Sequence, residues 1–121
     1  MYAAPPRLGL NQWALGGNWT IEREPVVLNE AGGRLTFQFQ ARDLNLVMGP
    51  TMAGHPGQFR VLLDGLAPGA AHGSDVDDQG SGTLAEQRLY QLIRQPGPIS
   101  ERRFEIEFAD PGAAAYDFTF G

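Results

Sequence analysis

Apolar and polar positions alternate along much of the chain, and the alternation has the period of a β-strand. In Arg34–Ala41, Leu35, Phe37, Phe39 and Ala41 share one side, while Thr36, Gln38 and Gln40 share the other. In Arg103–Phe108, Phe104, Ile106 and Phe108 alternate with Glu105 and Glu107. In Ala115–Phe120, Tyr116, Phe118 and Phe120 alternate with Asp117 and Thr119. Such runs predict strands with one face buried and one wet, as in antiparallel sheets. Weaker strand signals lie in Trp19–Arg23, Val26–Asn29, Leu44–Met48 and Gln58–Leu63. Asp64-Gly65 and Asp110-Pro111-Gly112 read as turns, and Gly32-Gly33 separates two strands.

One segment carries two signals. Thr83-Leu-Ala-Glu86 has the form of a helix capping box, and Ala85, Leu89, Leu92 and Ile93 follow at helical spacing. Leu84–Arg94 therefore reads as a helix, or as a buried strand, since short apolar runs suit both. No other helix is predicted. Phe-striped strands without helices to cover them bury their apolar faces against a second sheet. The expected fold is an all-β antiparallel sandwich of eight or nine strands. Residues 1–10 read as an N-terminal extension and residues 11–121 as a single domain.

Composition narrows the function. The chain has 121 residues, no Cys and a net charge of −5. One domain of this size can build a core without staples. Thiol chemistry, disulfides and thiolate metal sites are excluded. The negative charge disfavours nucleic acid. No apolar run is long enough for a membrane-spanning helix, and no targeting signal is present. All nine basic residues are Arg, whose planar forks suit carboxylates and sugar hydroxyls.

No motif of nucleophilic or metal-dependent catalysis occurs, and the chain reads as non-enzymatic. His55 and His72 sit in Gly- and Pro-rich loops. Glu105 and Glu107, beside Arg102 and Arg103, read as a salt-bridged sheet face rather than a hydrolytic carboxylate pair. The candidate ligand-binding residues are Trp13, Arg42, Asp43, Tyr90, Arg94 and Gln95. They combine an aromatic face with polar forks at strand ends, the chemistry that recognises sugars. A second candidate is the acidic loop from Asp75 to Glu86. Taking Asp75 as position one, Asp77 falls at three, Gln79 at five, Gly80 at six and Glu86 at twelve. This approaches the spacing of a calcium-binding loop. The other reading is an acidic turn between two strands.

Several segments together resemble a known family. They include Asn11-Gln-Trp-Ala-Leu15, Gly17-Asn-Trp-Thr20, Ala41-Arg-Asp-Leu-Asn-Leu-Val-Met-Gly49 and Phe59-Arg-Val-Leu-Leu-Asp-Gly65. Pro68 to Asp77, Arg88-Leu-Tyr-Gln-Leu-Ile-Arg94 and Tyr116-Asp-Phe-Thr-Phe-Gly121 complete the set. From about Leu8 to Gly121 the chain resembles the C-terminal domain of DipZ-type thioredoxin-like proteins. The resemblance implies a jelly-roll module similar to carbohydrate-binding modules, placed outside the cytoplasmic membrane. It favours a strand at Arg88–Arg94. Its implied partners are a carbohydrate or cell-envelope glycan, or a thioredoxin-like domain of the parent protein. The family's thiol chemistry has no residue here to carry it.

Overall fold

The period-two runs predicted strands, and strands occupy them in the computed structural model, which describes residues 13–16, 19–21, 26–28, 32–50 and 57–121. In the first three strands, the described side chains are those of Ala14, Leu15 and Leu28. The elements are β1 (Trp13–Gly16), β2 (Trp19–Ile21), β3 (Val26–Leu28), β4 (Arg34–Phe39), β5 (Asp43–Pro50), β6 (Gly57–Leu63), β7 (Ser81–Leu84), β8 (Arg88–Arg94), β9 (Arg102–Phe108) and β10 (Ala113–Phe120). A short 3-10 turn covers Gly69–Ala71. The count exceeds the eight or nine expected, because β1 and β7 carry no alternation to announce them. The proposed extension, residues 1–10, lies outside the described residues.

Two antiparallel five-stranded sheets form, in the orders β1-β4-β9-β6-β7 and β2-β3-β10-β5-β8. Set aside β1 and β2, and the orders are 4-9-6-7 and 3-10-5-8. That is the jelly roll, in which successive strands mostly cross from one sheet to the other. The turns are those the sequence announced. Asp64 and Gly65 both have positive φ, 52° and 79°. Leu63 and Leu66 exchange two backbone hydrogen bonds around them. This is the tight two-residue connection that Asp-Gly favours.

The inner faces meet as the alternation required. Phe37, Phe39, Phe59, Phe104, Ile106 and Phe108 of the first sheet press against Leu44, Leu46, Met48, Tyr90, Leu92 and Ile93 of the second. Each large side chain buried this way contributes about 2 kcal/mol. Phe118 sits at the joint, its ring 4.7 Å from Phe37 and edge-on to Phe104 at 6.1 Å. Thr36, expected on a wet face, is instead fully buried. It lies in the ladder between Ala14 of β1 and Glu105 of β9.

Two bulges break the alternation and decide which residues face out. Between β5 and β8, Leu44 pairs with Ile93 but Asn45 pairs with Gln91. Leu92 is the extra residue, so Leu92 and Ile93 both point inward and are both buried. Between β10 and β5 the register shifts between Ala115 and Asp117. Tyr116 is the extra residue there and joins Asp117 on the outer side. This corrects the simple alternation of Tyr116 with Phe118 and Phe120. Phe120 keeps its inward side but reaches the end of the sandwich, where it is 43% exposed.

The helical reading of Leu84–Arg94 does not hold. The segment divides into the end of β7, a bend and β8. Burial between two sheets outweighs the local helical signal: Leu84, Tyr90, Leu92 and Ile93 all enter the core. Tyr90 replaces the helix's hydrogen bonds at the bend. Its hydroxyl donates to the Glu86 carbonyl at 2.6 Å and accepts from the Ala85 and Glu86 amides at 3.3 Å.

Candidate functional site

β8 is an edge strand, and an uncovered edge invites other chains to pair. The acidic loop covers it. Gly73 N donates to Leu92 O at 2.9 Å, and Asp75 N donates to Gln91 O at 3.1 Å. The Gln91 backbone N–H donates back to Asp75 Oδ2 at 2.6 Å. Arg88 Nη2 donates to Asp75 Oδ1 at 2.8 Å, and its guanidinium lies 3.8 Å above the Tyr90 ring. A Cβ at Gly73 would collide with the Gln91 carbonyl, so the loop's close approach requires glycine.

This geometry does not assemble the calcium ligands suggested by spacing. Both Asp75 oxygens are engaged by Arg88 and Gln91. Asp77 Oδ1 accepts from the Gln79 and Ser81 amides at 3.0 and 2.9 Å, closing its own turn. Gln79 accepts from Arg60 through its backbone oxygen, not its side chain. Glu86 faces Arg88 at 3.6 Å. Among the described residues no three His, Cys, Asp or Glu side chains cluster. The acidic spacing serves strand covering.

The Arg88 guanidinium, through its hydrogen bond, holds the Asp75 carboxyl below the usual carboxylate range. A carboxyl with a lowered folded pKa stabilises the fold above its unfolded pKa and ceases to as pH falls through the folded value. Asp75→Asn is therefore expected to lose about 1–2 kcal/mol at pH 7. The gap from the parent protein should close as pH falls below the ordinary carboxylate range, through the lowered folded value. Urea titrations of both proteins across that range check this; a gap independent of pH would refute it.

Of the six ligand-binding candidates, the fold brings four to one end of the second sheet. Asp43 and Arg94 are register partners, with Arg94 Nε 3.8 Å from Asp43 Oδ1. Arg42 is exposed beside them. Gln95 is adjacent but only 2% exposed. Its Nε2 donates to Ala41 O and Ser100 O, and its Oε1 accepts from Ser100 Oγ and Arg102 Nη1. Gln95 is a clamp between loops. Tyr90, 1% exposed, lies in the core beneath Arg88 and presents nothing to a ligand. Trp13 pairs through its backbone with Phe37 on the first sheet, and its side chain lies outside the described residues. His55 also lies outside them; His72 Nδ1 is 2.9 Å from Gly73 O.

The two outer faces differ in chemistry. The first sheet's is a lattice of paired ions. Arg34 bridges Glu107 at 2.8 Å and Glu105 at 3.4 Å, and Arg103 lies 3.6 Å from Glu105. At its end, Asp64 pairs with Arg102 and accepts from the Arg103 amide at 2.9 Å. The salt bridges expected of Glu105 and Glu107 form, but the face is not simply exposed: Glu105 is buried, as is Thr36 beside it.

The second sheet's outer face is built from amides, hydroxyls and a few apolar groups. Leu44, Leu46 and Met48 are buried, so Asp43, Asn45 and Val47 point out. Across the ladders, Asn45 lies between Gln91 and Thr119, and Val47 lies between Leu89 and Asp117. Leu89 is 38% exposed. The bulge adds Tyr116, whose hydroxyl donates to Gln87 Oε1 at 3.1 Å. Gln87 in turn lies against Gly49, where any Cβ would strike its backbone and side chain. From Asp43 to Gly49 the face runs about 20 Å along β5. Sequence reading found Asp43 and Arg94 but missed Asn45, Gln87, Gln91, Tyr116, Asp117 and Thr119. The wet positions of β10 were legible; the bulge that adds Tyr116 was not.

A jelly-roll sandwich with one ion-paired outer face and one amide-lined face defines the chain as a β-sandwich module. It belongs to the thioredoxin-like C-terminal domain family, whose model matches residues 1–121. No curated protein sequence matches it. Among solved structures it is similar to a family two carbohydrate esterase from Cellvibrio japonicus, with 17% identity and a TM-score of 0.70 over 99% of this chain and 32% of that one. A family two carbohydrate esterase from Clostridium thermocellum, solved in complex with cellohexaose, matches with 12% identity and a TM-score of 0.67. That match covers 91% of this chain and 31% of the esterase. The chain thus spans about a third of each esterase, and at these identities the likeness is one of fold.

Proposed function

We propose that the chain is a non-catalytic accessory module of a thioredoxin-family protein, and that it binds carbohydrate across the outer face of its second sheet. The observation that carries this reading is the contrast between the two outer faces. Salt-bridged ions satisfy one another on the first sheet. On the second, the Asn45 side-chain amide, the Gln91 side-chain NH2 (its Oε1 accepts from Ser74 Oγ at 2.8 Å), the Thr119 hydroxyl and the Tyr116 ring offer hydrogen bonds and an aromatic edge along one extended strip. Such groups match the hydroxyls and apolar faces of sugar rings. The jelly-roll fold shared with carbohydrate esterases, one of them solved with cellohexaose, supports it. An extracytoplasmic setting, where cell-envelope glycans are present, fits the same reading.

The test is calorimetric titration with a panel of soluble oligosaccharides, cellohexaose among them. Saturable binding is expected, and Tyr116→Ala should weaken it at least tenfold, about 1.4 kcal/mol. No binding to any member of the panel would remove the sugar reading.

The exposed Leu89 beside Val47 favours one alternative, a protein-docking module that positions a neighbouring thioredoxin-like domain. Capture of that domain, lost in Leu89→Glu and unaffected by sugars, would establish this second reading in place of the first.

A further inference from the structure

We infer that the strip on the second sheet selects uncharged glycans, and that Asp117 is the residue that rejects acidic ones. This rests on the carbohydrate reading above and specifies the class of sugar it takes. Asp117 is exposed on the outer face, opposite Val47 and beside Tyr116 on the bulge. Among the described residues no Arg comes within ion-pair distance of it. Along the ladder Arg88 pairs with Met48, one position from Val47, but its guanidinium is held by Asp75 at 2.8 Å; Arg94 pairs with Asp43 at the far end and faces it at 3.8 Å. The chain has no Lys and carries a net charge of −5. A glycan lying along Asn45, Thr119 and Tyr116 passes over a carboxylate that no Arg among the described residues pairs with. Uronic acid, sulfate or phosphate groups on such a glycan meet that carboxylate directly, whereas neutral rings use it as a hydrogen-bond acceptor for their hydroxyls.

The experiment compares cellohexaose with a galacturonic acid hexamer on the parent protein and on Asp117→Asn, at low and at physiological salt. Asp117 makes no side-chain contact that the fold needs, so the variant should unfold at the parent's temperature. Binding of the acidic hexamer is expected to be at least fivefold weaker than that of the neutral one at low salt. The gap should narrow as salt screens the charge and close in Asp117→Asn. Equal binding of both hexamers to the parent protein overturns the selectivity while leaving the carbohydrate reading intact. An undiminished gap in Asp117→Asn overturns the role of Asp117. Failure of every sugar to bind overturns the underlying reading and this inference together.

Discussion

Gly80→Ala is expected to be among the most destabilising methyl additions at the described glycines, costing about 3 kcal/mol or more. Two independent constraints meet at this residue. Its φ of 87° is left-handed, a conformation that alanine adopts only with strain. A Cβ there would also collide with the Val61 carbonyl oxygen and lie 3.0 Å from Pro68 Cδ. The collision cannot relax cheaply, because Val61 is the middle of β6, and its amide donates to the Gly80 carbonyl at 2.7 Å. Gly65 offers the control. Its φ is 79°, yet its surroundings are open, so Gly65→Ala carries the conformational cost alone, about 1 kcal/mol. Equilibrium urea unfolding of both variants separates the terms; equal losses would mean that the contact with Val61 is not limiting.

Phe104→Ala is expected to cost about 3–5 kcal/mol. Phe104 is 0% exposed and pairs with Phe37 on one side and Leu63 on the other, at the middle of the first sheet. Its ring meets Phe118 edge-on across the sandwich. Removing it opens a cavity walled by β-strands that are hydrogen-bonded on both sides and cannot close the space. Phe120→Ala provides the contrast: that ring is also part of the aromatic cluster but lies at the open end. It should cost less than half as much. A similar loss at both positions would mean that the end of the sandwich is packed as tightly as its middle.

The fold was legible because the strongest signals were also the physically decisive ones. Leu35, Phe37 and Phe39, or Phe104, Ile106 and Phe108, have no place to go but the space between two sheets. Asp64-Gly65 encodes its turn in the chain's own stereochemistry. The misreadings share one cause, which is that local pattern does not contain the partner strand. Thr83 and Glu86 have the residue types of a helix start, but the buried apolar residues that follow belong to a strand. The Asp75–Glu86 spacing looked like an ion's cage because acidic residues near glycines also fasten a loop onto an edge strand. Tyr90 and Gln95 looked available because strand ends are usually wet, and only the packed structure shows both of them inside. At the candidate site, Asp43 and Arg94 could be read as strand-end polar residues. Tyr116 could not, since an extra residue in a ladder leaves no mark on a single strand.

The position of the last strand has a consequence for how the protein comes into being. β10 lies between β3 and β5 in its sheet, so two strands from the first half of the sequence wait for the last one to join them. Among the described strands, only β6 with β7 and β2 with β3 are neighbours in both sequence and space. Pairings this distant make for slow folding, on the millisecond-to-second scale. During synthesis the second sheet stays divided until β10 clears the ribosome. Until then β3 and β5 have unpaired edges, and a cell making this protein has reason to keep chaperones close to the nascent chain.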